Sequence, residues 1–169
     1  MELGLNPGQW TNFFMLVGSG SAALAGLVFV AITINLRGVA EDATHRYRAI
    51  NMLTGFSAAF ILSALAVMGQ QTGQSLAIEW LIVALPATAI NTNGYIQAFR
   101  LRASSRYALS PFRVVGGTVC YLAQIVGSLL LLLGVEWGIT VAAIGLVANF
   151  ALLISGAWLL IVGTLPRRE

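Results

Sequence analysis

The chain has 169 residues, of which 58% are hydrophobic and only 9% charged. Soluble domains carry charge on about a quarter of their residues, so a water-facing surface of ordinary size is excluded. The mean hydropathy is +0.85 and the net charge +3. One cysteine, Cys120, excludes an internal disulfide and any multi-cysteine metal site.

A helix needs roughly 20 apolar residues to cross a bilayer. Five segments meet this length: 13–36, 49–69, 76–99, 114–133 and 139–163. They predict an all-α fold, a polytopic membrane helix bundle with five transmembrane helices forming a single transmembrane domain over 1–169. The first segment is too long for the apolar core of a signal peptide and reads as a retained helix. It opens with "GSGSAALAG", eight small residues in nine positions. Lipid tails are as apolar as leucine, so helices in a membrane associate through close backbone packing, which small residues permit. Gly18, Ala22 and Gly26 recur every four residues, with Ala25 and Phe29 on the same stripe. The stripe predicts a tight contact with another helix, either in the same chain or in a second copy. Asn35 lies off the stripe, beside Arg37, and reads as an interfacial polar anchor.

In "EDATHRYR", Glu41/His45 and Asp42/Arg46 are i,i+4 pairs, so the second helix is expected to begin before the membrane. His45, the one histidine, reads as an exposed polar residue there. The third segment holds the most polar stretch, "LPATAINTNGYIQAF". On a helix Pro86, Ala89, Asn93 and Gln97 form one stripe, and Ala84, Thr88, Asn91 and Tyr95 another on nearly the opposite side. Amides on both faces are costly in lipid, which predicts a central helix with neighbours all round. Asn51, Thr54, Ser57, Gln124, Ser128 and Asn149 are available as polar partners. Helix-to-helix bonding is one reading of these amides; a polar path beside Thr88, Asn91, Asn93 and Gln97 is the other. Pro86 should kink the helix and free the carbonyl of Ile82.

"SPF" places Ser110 as a cap before a proline at the start of the fourth helix. Cys120 reads as a small packing residue and Leu131, in a polyleucine run, as lipid-facing. "GVEWG" turns the fourth segment into the fifth, whose "AAIGLVANFA" looks like the "AALAGLVFVA" of the first.

All nine cations are arginines, and all fall on one side of the five segments. The other side holds Glu2, Glu79 and Glu136. By the positive-inside rule the amino terminus is outside and the carboxyl terminus in the cytoplasm. Trp10, Trp80 and Trp137 sit at the expected outer boundary and Tyr47 and Tyr107 at the inner one, as amphipathic rings prefer. The basic balance is therefore topology, and nucleic-acid binding is not expected.

No Asp, Glu, Lys, Arg or His lies deep in any segment, which disfavours proton-coupled transport and voltage sensing. There is no HExxH, no GxSxG and no phosphate-binding glycine loop. Neither an enzyme nor a metal or other cofactor is expected. The first segment, "FFMLVGSGSAALAGLVFVAITINLRG" with the preceding "QW", resembles the opening of small multi-pass bacterial membrane proteins of no assigned activity. That resemblance, like the arginine-only usage of a GC-rich genome, implies a bacterial plasma membrane and no functional residue. Two functions are left. One is a non-catalytic protein working by helix–helix association, with other membrane subunits or copies of itself as partners beside the lipid bilayer. The alternative is a small oligomeric channel or facilitator along the third helix.

Overall fold

The computed structural model describes residues 7–34, 36–41, 43–69, 71–100 and 111–163. Among these lie helices α1 (Pro7–Ile34), α2 (Leu36–Glu41), α3 (Ala43–Val67), α4 (Gly73–Arg100), α5 (Pro111–Leu132) and α6 (Trp137–Gly163). Five of them contain apolar stretches of 21–25 residues, long enough to cross a membrane. The expected all-α framework of five long apolar helices is present. The short α2 was not anticipated.

Local chemistry sets the ends of the connections. At the start of α4, Thr72 and Ser75 cap each other: Ser75 N–H donates to Thr72 Oγ1 at 3.1 Å, and Thr72 N–H to Ser75 Oγ at 3.0 Å. α5 ends on Gly134, whose φ of 82° suits only a residue without Cβ. Val135 N–H then donates to Leu130 O at 2.9 Å and Gly134 N–H to Leu131 O at 3.0 Å, a Schellman closure. The chain reverses there and starts α6 three residues later.

The helices α3, α4, α5 and α6 pack in that order into a closed ring, α6 returning to α3. α1 lies outside the ring, mainly against α3 and with a lighter contact to α6. The tightest pairing is α5 with α6. A Cβ on Gly127 would stand 2.5 Å from the Ala142 nitrogen, and one on Gly145 2.9 Å from the Cys120 carbonyl oxygen. Only glycine allows the two backbones to meet in this way.

Apolar side chains form two main clusters. Near the end that carries Trp10 and Glu79, a cluster of Phe14, Val17, Leu62, Ala77, Trp80, Leu131, Ala142 and Leu146 joins all five long helices. Near the arginine-bearing end, Val28, Ala49, Met52, Phe56 and Ala157 join α1, α3 and α6.

Several expectations are corrected. α4 is not central: it packs against α3 and α5, while Pro86, Ala89 and Asn93 are exposed. The helix most surrounded is α3. Trp80 turns into the bundle, being 3% exposed with its ring edge-on to Phe14 at 5.5 Å. Leu131 is buried at 5% and touches the backbone at Gly73 rather than lipid. His45 is 6% exposed, enclosed where α3 begins. The expectations for Asn35, Tyr107, the Glu41 and Asp42 pairings and the Ser110 cap lie outside the described residues or side chains.

Candidate functional site

The ring encloses a polar seam built mainly by α5. Gly117, Tyr121, Gln124 and Ser128 recur at helical spacing, so they share one face, and that face points inward. Tyr121, Gln124 and Ser128 are 2%, 3% and 1% exposed. Asn91 of α4, Asn149 of α6 and Ser63 of α3 are buried as well, and Ser21 of α1 is wholly enclosed. Ser128 Oγ donates to the Gln124 carbonyl at 2.8 Å, the back-bond that lets a hydroxyl sit within a membrane helix.

Toward the arginine end, glycines make room for larger polar groups. Gly94 leaves space for the Asn51 carboxamide, whose Nδ2 donates to the Asn91 carbonyl oxygen at 3.4 Å. Gly117 accommodates the Tyr95 phenol, whose hydroxyl lies 3.5 Å from the Arg113 carbonyl. Arg113 itself clamps α5 to α6, its Nη2 donating to Ser155 O at 3.0 Å and Ser155 Oγ at 3.2 Å.

Part of the seam's hydrogen-bonding capacity is unused among the described residues. Asn51 Oδ1 and Gln124 Nε2 are buried there without a partner, as are Ser21 Oγ and Ser63 Oγ where α1 meets α3. Each such group costs about 1–3 kcal/mol when left unpaired. Beside Gln124 and Ser128 lies a cavity of about 10 Å³, bounded by Leu62, Trp80, Ala84 and Leu146. That is the space of one water molecule. The surface that lines it is apolar.

The residues singled out from the sequence do not stay together. Asn91 faces the seam, and Thr88 is half-buried with Oγ1 bonded to its own helix at Ala84 O, 2.6 Å away. Asn93 is exposed and Gln97 half-buried. Asn91 and Asn93 are about 200° apart around a helix, so one path cannot be lined by both.

The α1 stripe is divided too. Gly18 is a true contact, where a Cβ would lie 3.0 Å from Ser63 Cβ. Ala22 and Phe29 are exposed, and a Cβ on Gly26 would meet nothing within 4 Å. The buried line of α1 runs instead through Phe14, Val17, Gly18, Ser21 and Val28. Tyr121 was missed as a seam residue, although its spacing from Gln124 and Ser128 was readable.

No family model, curated protein or solved structure matches this chain. The site is therefore interpreted from its own chemistry.

Proposed function

We propose that this is a non-catalytic integral membrane protein that acts through helix–helix association, as an accessory subunit of a membrane complex or a homo-oligomeric scaffold. The observation that carries this reading is the outward face of α1. Ala22 and Gly26 are exposed there on a membrane-spanning helix, with no side chain among the described residues over Gly26. Small residues on such a face admit the backbone of another helix. The arginine distribution and the resemblance of the first segment support a place in the bacterial plasma membrane, amino terminus outside. Extraction in mild detergent followed by mass measurement tests the reading. A larger complex or a homo-oligomer is expected; a lone monomer would overturn it.

The unused groups of Gln124 and Asn51 favour a second reading, an oligomeric channel or facilitator whose path follows the α5 stripe rather than α4. Flux into proteoliposomes that is lost in Gln124→Leu would support it. No flux from the wild type would remove it.

A further inference from the structure

α4 carries amides on two sides, and the ring uses only one of them. Asn91 and Gly94 face inward, while Pro86, Ala89 and Asn93 form an exposed outward stripe. The Asn93 carboxamide makes no hydrogen bond among the described residues. Asn93 lies within the apolar stretch Gly73–Gln97 of α4. An unpaired amide facing hydrocarbon is expensive, and side-chain amides in membrane helices serve to join one helix to another. Two turns away, Pro86 has no N–H, so the carbonyl of Ile82 lacks its usual donor, and Ile82 is 66% exposed. The outward face of α1 makes no such demand: Ser19 Oγ bonds Met15 O at 2.7 Å and Thr33 Oγ1 bonds Phe29 O at 2.8 Å, so its hydroxyls are already satisfied.

We propose that a second copy of this chain covers the Pro86–Ala89–Asn93 stripe, pairing α4 with its own counterpart. The proposal rests on the association reading above and assigns it a different face. Copies inserted with the same topology are related by an axis along the membrane normal, so each residue meets its equivalent at the same depth. A carboxamide both donates and accepts. Asn93 set against the equivalent amide therefore satisfies both at once, whereas an unrelated helix needs a polar side chain at that same depth. Ala89, one turn away, is small enough for the two helices to close to hydrogen-bonding distance.

The test uses the full chain with Cys120→Ala. Asn93→Cys and Ala89→Cys, with Ala22→Cys for comparison, are oxidised in isolated membranes with copper phenanthroline. A covalent dimer at position 93 or 89, and none at 22, is the expected result. In parallel, light scattering in mild detergent should give twice the monomer mass for the wild type and the monomer mass for Asn93→Leu, with unchanged thermal midpoints. Assembly that survives Asn93→Leu, with no cross-link at 93 or 89, overturns this interface. If that assembly is lost in Gly26→Leu, association itself still stands through α1. A wild type that is monomeric and brings down no other protein overturns both.

Discussion

The indole nitrogen of Trp80 donates to the backbone carbonyl oxygen of Leu62 at 3.0 Å, binding α4 to α3 from within the ring. The same ring meets Phe14 of α1, so one side chain holds three helices in register.

Trp80→Ala should therefore cost about 3–5 kcal/mol, the range for truncating a buried aromatic. Trp137→Ala should change stability by no more than about 0.5 kcal/mol, because that ring is 68% exposed. Thermal unfolding in detergent compares the two. Equal losses would remove Trp80 from the core.

Leu131→Ala is expected to destabilise by about 2–5 kcal/mol, as for other buried leucines. Its side chain is 5% exposed and packs against Gly73 at the head of α4. A midpoint within error of the wild type would return Leu131 to the lipid.

Gly127→Val and Gly26→Leu should behave oppositely. At Gly127 a Cβ would stand 2.5 Å from the Ala142 nitrogen and 2.6 Å from the Gly138 oxygen, both backbone atoms. Overpacking there costs at least about 1–3 kcal/mol. Gly26→Leu meets open space, so the unfolding midpoint of the isolated chain should hold. Loss of the monomer fold in Gly26→Leu would contradict the placement of α1.

Gly94 and Asn51 should be coupled. Gly94→Ala pushes a methyl into the Asn51 carboxamide and should destabilise, whereas Asn51→Ala in the same chain makes room for it. A double-mutant cycle should give a favourable coupling of about 1 kcal/mol or more. Simple additivity would separate the two sites.

Topology is read by labelling. In a Cys120-free background, Ser75→Cys should react with an impermeant maleimide in intact cells, while Ser105→Cys and Glu169→Cys should react only after lysis. External labelling of position 105 or 169 would reverse the orientation derived from the arginines.

The five spans were legible because length and apolarity are one-dimensional properties. The inward face of each span was not. In lipid, apolar side chains line both faces of a helix, so the contrast that orients a soluble helix is weak. Small residues recur at similar spacing in α1, at Gly18, Ala22 and Gly26, and in α6, at Gly138, Ala142 and Gly145. Only the three-dimensional arrangement shows that the α6 set meets backbone while Gly26 meets nothing. The two-sided polarity of α4 was visible, but the inference that both sides are buried by one chain failed at Asn93. The boundary rule gave no direction for the Trp80 side chain, because it takes no account of a backbone acceptor such as Leu62 O.

The ring closes only through α6, which packs against both α5 and α3 and is the last of these helices in chain order. Without α6 the ring is an open crescent that leaves the α5 amide and hydroxyls uncovered on one side. The Gly134 turn holds α6 within a few residues of α5, so the helix that completes the enclosure is tethered beside the groups it covers.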